Sequence, residues 1–312
     1  MDGVTRILPA WAPRAVRHDK NRDLSSSGAA IVPAARSGLR SIRERGPFDQ
    51  PAREVARRAR GSHMKSYDDI FQERGSAYDR AMRAQPHARS AEFRQAVQRA
   101  QLSPGQVVAD VPAGGGYLRE YLPSGCHWRG HEPCTSFSAP GGHHRADPTR
   151  SLLPLPWSDA SVDAILSIAG VHHLDVKVRL FGEFRRVIRP GGRLVLSDVA
   201  AGSDVARFLD GYVGAHNSTG HEGVFLDRHS LHELREAGWI VQSDELVDFH
   251  WVFDDRQALA DFCHGLFDLR RASPAKTLAA IEDGLGIDTL PDGRAGMRWQ
   301  LRTITAQSPG SA

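Results

Sequence analysis

The residues able to do chemistry gather between positions 107 and 221 of this 312-residue chain. A short apolar run, Val107-Val108-Ala109-Asp110-Val111, ends beside an acid and leads into Pro112-Ala113-Gly114-Gly115-Gly116. A short helical stretch over 117–122 follows, stopped by Pro123. A strand, a glycine-rich turn and a helix start make a ligand cradle. Missing side chains let a ligand reach the backbone, and a helix start offers free amide donors. The dinucleotide pattern G-x-G-x-x-G fails, because Pro112 and Tyr117 stand where two of its glycines would be. The phosphate loop fails as well, since no Gly-Lys-Ser/Thr follows. What remains, Asp110 next to close-set glycines, suits a ligand with a cationic amino-acid tail and no phosphate. The alternative on these residues alone is an ordinary tight turn. Glu132 lies 22 residues after Asp110, near the usual distance to the ribose-binding acid of nucleotide folds.

Other groupings point elsewhere. Cys126, His127, His131, Cys134, His143 and His144 are metal-ligand types without a regular zinc spacing, so no metal is expected. Arg185, Arg186 and Arg189 form a basic helix face with no interleaved aromatics, which reads as a solvated face rather than a nucleic-acid contact. Three cysteines make no disulfide framework, and no apolar run approaches a membrane span, so a cytoplasmic protein is expected. The net charge of +3 hides an asymmetry: residues 1–60 carry +7, which leaves −4 for the rest. The basic balance is therefore poor support for nucleic-acid binding by the folded part.

The elements that position these groups begin near Met64. Residues 1–63 are rich in Pro, Ser, Gly and Arg and have no sustained period; they are expected to be a disordered or non-native extension. Gly61-Ser62-His63-Met64 matches a common cloning scar, which places the expected start at Met64. Tyr67, Ile70, Phe71, Tyr78, Met82, Phe93 and Val97 recur at helical spacing. Further on, 239–253 and 297–304 read as strands, 255–287 reads as helical, and 309–312 as a disordered tail.

The stretch 107–116 resembles the first motif of class I S-adenosylmethionine-dependent methyltransferases, and later markers fall in that family's order. Trp128-Arg129-Gly130-His131-Glu132 is similar to the second strand and its ribose-binding acid. Arg145-Ala146-Asp147 is similar to the third strand's end, with its adenine-facing acid. Residues 153–165, LPLPWSDASVDAI, resemble the signature of the subfamily that includes the quinone C-methyltransferases. Residues 183–199, EFRRVIRPGGRLVLSDV, resemble the family's helix, Pro-Gly-Gly turn and fifth strand. Two departures stand out. Pro112 replaces the first glycine and removes an amide donor. Only 14 residues separate Glu132 from Asp147, so the helix between them is expected to be reduced or missing.

The resemblance implies an α/β fold: a Rossmann-like, seven-stranded, mostly parallel sheet with an antiparallel last strand. Residues 64–308 would form the domain, with helical caps at 64–101, 201–229 and 254–292. It implies S-adenosylmethionine as cofactor, held by Asp110, Pro112, Ala113, Gly114, Gly116, Glu132 and Asp147, with Ser167 and Ile168 as floor. The implied reaction is methyl transfer to an oxygen or carbon of a small molecule. Such an in-line displacement needs positioning and a proton acceptor, and histidine is the natural base near neutral pH. His172 and His173 follow strand four; His216 and His221 lie in the cap. The alternative is a cofactor-binding partner or regulator that has lost catalysis, motivated by Pro112 and the shortened third-strand region. Acceptor and oligomeric state are not assigned.

Overall fold

A computed structural model describes residues 67–137 and 151–310. Residues 1–63, His143, His144, Asp147 and the strand expected at 145–147 lie outside them, as does the end of the tail. Among the described residues no helix is long and apolar enough to cross a membrane.

Two helices come first, α1 (Tyr67–Ala84) and α2 (Ser90–Ala100). Then follow β1 (Val107–Asp110), β2 (His127–Gly130), β3 (Val162–Ile168), α3 (Val178–Val187) and β4 (Ile188–Asp198). The cap region after β4 holds α4 (Asp204–Phe208), a π-helical stretch (Leu209–Val213) and α5 (Gly214–His216). The chain closes with α6 (Arg228–Glu236), β5 (Ile240–Phe253), α7 (Arg256–Leu266), α8 (Pro274–Gly284), β6 (Ile287–Thr289) and β7 (Ala295–Gln307).

The strands form one seven-stranded sheet in the order β2-β1-β3-β4-β7-β5, with β6 on β7. Strands β2, β1, β3 and β4 pair in parallel, whereas β7 runs antiparallel to both β4 and β5. This is the expected Rossmann-like sheet. Its seventh described strand is β6, within the expected 254–292 cap. β4 covers β7 only from Arg302 to Gln307, which leaves Ala295, Gly296 and Met297 for β6.

Alternation along the strands sends side chains to both faces, and each face has its own core. Val108, Leu166 and Val195 join one core, with residues of α1, α2, α7 and α8. Ala109, Ile165, Leu194 and Leu196 join the other, with α3 and Trp239. Helix α3 shows why these segments fold as they do. Leu180, Phe181, Phe184 and Val187 are fully buried on one stripe, each stabilising by about 1.5–3 kcal/mol. Of the expected basic helix face, Arg185 and Arg186 lie on α3 and Arg189 on β4; Arg186 bonds Glu183 and Asp159, Arg189 pairs with Asp163, and Arg185 bonds Ser308.

The expected helix after the glycine turn is a 3-10 turn, Tyr117–Tyr121. Pro123 forces Leu122 into an extended conformation and leaves too few residues for an α-helix. Over its described part, the reduced connection after Glu132 is also a 3-10 turn, Thr135–Phe137.

That second turn is clamped to α1. Ser136 Oγ donates to the Phe71 carbonyl, and Ser76 Oγ donates to the Ser136 carbonyl at 3.2 Å. The approach requires Gly75, because a Cβ there would overlap Ser136 Oγ. Gly75→Ala is expected to destabilise by about 1–3 kcal/mol, as overpacking does. A lowered urea midpoint at unchanged slope would register it; an unchanged midpoint would mean that the turn yields freely.

Candidate active site

The carboxyl ends of β1, β2, β3 and β4 lie side by side, where open α/β sheets hold ligands. Asp110 closes β1, and Glu132 stands two residues beyond β2. The glycine turn is locked between them: His131 N–H donates to the Asp110 carbonyl at 3.0 Å, and Ala113 N–H to the His131 carbonyl at 2.9 Å. Gly114 and Gly116 take left-handed φ of +51° and +76°, which glycine adopts without a Cβ clash.

Glu132 is 1% exposed and accepts three hydrogen bonds. Gly114 N–H lies 2.9 Å from Oε2, Cys134 N–H 2.9 Å from Oε1, and the Tyr67 hydroxyl 2.6 Å from Oε2. Burial raises the Glu132 pKa against the lowering effect of these donors. Burial also pushes the Asp110 carboxyl well above the ordinary carboxylate range, although the Trp128 indole N–H donates to it at 3.2 Å. The Tyr67 phenol is raised too, first by burial and then by the charge of Glu132.

Asp110, Pro112, Ala113 and Gly114 line one cavity with Ile168, Ala169 and Gly170. Its volume is about 50 Å³, small beside the roughly 300–1,000 Å³ of small-molecule sites. Helix α1 supplies the covering wall through Tyr67, Phe71 and Tyr78, and Phe137 adds another ring. Arg89 and Phe93 complete it from the start of α2. Arg89 is buried against Glu92, with N–O distances of 2.6 and 2.9 Å. A larger groove of about 660 Å³ is lined by Arg80, Asp255, Asp261, His264 and Asp268, and contains neither the glycine turn nor His172. Its openness to solvent and its distance from the strand ends make it a surface groove rather than the site.

Beyond β3 the chain makes a 3-10 turn, Val171–His173. The parallel register of β3 with β4 sets Ile168 against Ser197, so this turn meets Asp198 at the end of β4. Asp198 Oδ2 accepts from the Val171 and His172 amides, and Oδ1 lies 2.6 Å from His172 Nδ1. Burial raises the Asp198 carboxyl, but His172 and the backbone donors hold it below its ordinary value. The loop carrying His221 is pinned alongside by Val224 N–H on the His172 carbonyl. His221 Nδ1 lies 2.8 Å from Asp210 Oδ1 in the π-helical stretch. His173 touches Phe71, His172 and His221. Its pKa falls well below 6.5, through burial first and then the neighbouring His172, His221, Arg74 and Lys177. Burial also lowers His221 and brings Arg74 to about 10.

Of the four histidines singled out in the sequence, His172, His173 and His221 come together and His216 stands apart. The His216 ring nitrogens meet the Tyr212 carbonyl and Lys276 Nζ. Ile168 lines the cavity; Ser167 is fully buried, with no hydrogen-bond partner for its hydroxyl. The sequence reading missed Arg74, Arg89, Glu92, Asp198 and Asp210. One signal was present: Arg74 sits on the stripe of Tyr67, Phe71 and Tyr78, where a solvent-facing arginine does not belong. It is 5% exposed, and its Nε and Nη1 have no partner.

Residues 109–196 match the family described as methyltransferase domain. An uncharacterized methyltransferase of Mycolicibacterium gilvum is 35% identical over 129 residues, 37% of this chain and 51% of that protein. The 27-O-demethylrifamycin SV methyltransferase of Amycolatopsis mediterranei is 34% identical over 97 residues, 30% of this chain and 35% of that protein. The chain thus spans about half or less of the length of these relatives. Haemonchus contortus phosphoethanolamine N-methyltransferase 2, solved with phosphomonomethylethanolamine and S-adenosylhomocysteine, shares the fold. It aligns at a TM-score of 0.50 and 14% identity, over 78% of this chain and 60% of that one.

Proposed function

We propose that the chain transfers a methyl group from S-adenosylmethionine to an oxygen or carbon of a small molecule. The observation that carries this reading is the pairing of Asp110 and Glu132 across the glycine turn, within a segment that matches methyltransferase domains. The donor set fits an adenosyl-amino-acid ligand. Glu132 is a buried acceptor suited to two ribose hydroxyls, and Asp110 is a counter-charge for an ammonium group. The Gly115 amide, which the turn's own hydrogen bonds leave over, is available to a carboxylate, and the Arg89 guanidinium, paired with Glu92, adds positive charge at the cavity wall. Asp147 is assigned to the adenine on the resemblance alone. Bound S-adenosylmethionine supplies the electrophilic methyl. The protein's part is alignment of the two reactants and exclusion of water, with the acceptor's proton given up at His172, His173 and His221. The bound S-adenosylhomocysteine of the Haemonchus enzyme and the methyltransferase name of the Amycolatopsis protein support the reaction class.

Calorimetric titration with S-adenosylmethionine, S-adenosylhomocysteine and NADH tests it. Saturable binding of the adenosyl pair with no NADH response is expected; a folded protein that binds neither adenosyl ligand would sink the reading. The pH dependence follows from Asp110. Its raised pKa means that the free protein holds a proton there to higher pH than an ordinary aspartate does. The ligand's ammonium favours the carboxylate, so binding expels that proton. Affinity is expected to fall as pH drops through the raised pKa, by up to about tenfold per unit for one proton. The measured enthalpy should then vary with the ionisation heat of the buffer. Identical enthalpies in buffers of different ionisation heat throughout the pH range in which affinity falls would remove Asp110 from the ammonium site.

A further inference from the structure

We infer that His172, His173 and His221 form a site for a divalent transition-metal cation. One ring nitrogen of each lies within 4.8 Å of one from each of the others. Small ring rotations would bring all three onto one ion at about 2.0–2.1 Å. The rings are secluded: His172 is 5% and His173 6% exposed, and the His221 side chain 3%. Phe225 stacks beside His172 and His221, and Phe71 lies edge-on to His173, which keeps water from the rings.

Two carboxylates fix the orientation from outside. Asp198 sits at Nδ1 of His172 and Asp210 at Nδ1 of His221. A carboxylate only accepts, so each Nδ1 donates to it, and the neutral form of each ring would offer its Nε2 lone pair to a cation. This outer-sphere carboxylate on a ligating imidazole orients the ring and raises its basicity. The third ring, His173, makes no hydrogen bond among the described residues. One cation would take a nitrogen from each of the three rings. The charges of Asp198 and Asp210 offset those of Arg74 and Lys177 beside the cluster, so the ion meets no net repulsion. Imidazole suits zinc, copper, nickel, cobalt and iron, and three nitrogen ligands leave a fourth position open.

The role of that fourth position rests on the methyl-transfer reading; the cation site does not. With the three imidazoles engaged as ligands and no longer bases, an acceptor hydroxyl bound there would release its proton to solvent as it enters, before water is shut out, and keep the electron pair on oxygen. That pair forms the new bond to the methyl carbon, and the carbon–sulfur pair returns to sulfur. The ion acts as a Lewis acid and changes no oxidation state.

The test is cobalt(II) titration of the full chain without a histidine tag, after chelator treatment and desalting. Saturation at one equivalent is expected, with visible d–d bands of a low-coordinate nitrogen site, no thiolate charge-transfer band, and displacement by zinc. His173→Ala should abolish the bands. Asp210→Asn, which touches only the outer sphere, should weaken binding by about 10- to 100-fold. Circular dichroism and S-adenosylhomocysteine binding establish that each variant is folded. Wild-type protein that binds S-adenosylhomocysteine but gives no saturable cobalt spectrum would overturn the site, as would bands that persist in His173→Ala. Either result leaves methyl transfer standing, with the histidines as free bases. Cobalt binding without adenosyl binding would instead count against the methyl-transfer reading alone.

Discussion

Glu132→Ala is expected to weaken S-adenosylhomocysteine binding by about 1–3 kcal/mol, the range for charged hydrogen bonds. That is about 5- to 150-fold in affinity. The carboxylate is 1% exposed and already takes three donors, so it is oriented before any ligand arrives. Removing it takes away the ribose acceptor and also releases the Gly114 amide that fixes the turn. Glu132→Gln, which keeps the volume and one acceptor oxygen, should fall between wild type and alanine. Titration calorimetry on folded variants decides the matter. Wild-type affinity in Glu132→Ala would show that the ribose is held elsewhere.

The largest loss of stability is expected from Glu92→Ala. Glu92 is fully buried and joins two elements: it pairs with Arg89 at the start of α2 and accepts the Trp251 indole N–H of β5 at 2.7 Å. Arg89 is itself 4% exposed and lies over the Trp251, Phe93 and Tyr78 rings. Alanine would strand a buried guanidinium and an indole N–H together, which costs about 3–5 kcal/mol. For a domain of this size that lowers Tm by roughly 10 °C. By contrast, breaking the exposed Arg298–Asp288 pair should leave the melting temperature almost unchanged. Thermal melts of the two variants side by side would test the ranking, and equal shifts would contradict the burial argument.

The site was legible where its parts are local in sequence. The apolar run, the glycines and Asp110 lie within ten residues, and a strand–turn–helix reading needs nothing distant. The long β5 and β7 were legible by alternation, whereas β6, three residues long, carries no period to detect. What escaped depends on long-range pairing. Trp251 meets Glu92 across 159 positions, and the Tyr67 hydroxyl meets Glu132 across 65. Asp198 was visible as a letter in the fifth-strand motif. Its use as the partner of His172 follows only from the register of two parallel strands. His221 is similar: 48 residues past His173, it reaches the cluster because Asp210 and the Val224 amide hold its loop there. Arg74 and Arg89 were hidden for another reason. Arginine defaults to solvent, and only the packing around them shows that these two do not.

The Tyr67 hydroxyl occupies the same Glu132 oxygen that a ribose would need, so the resting protein is its own competitor at that acid. The same helix sets Phe71 against His173. Displacing α1 to admit an adenosyl ligand therefore uncovers the histidine side of the cleft in the same movement. Under methyl transfer this makes turnover sequential. A cofactor bound first would open the acceptor's half of the cleft, and Tyr67 would reclaim Glu132 once S-adenosylhomocysteine had left.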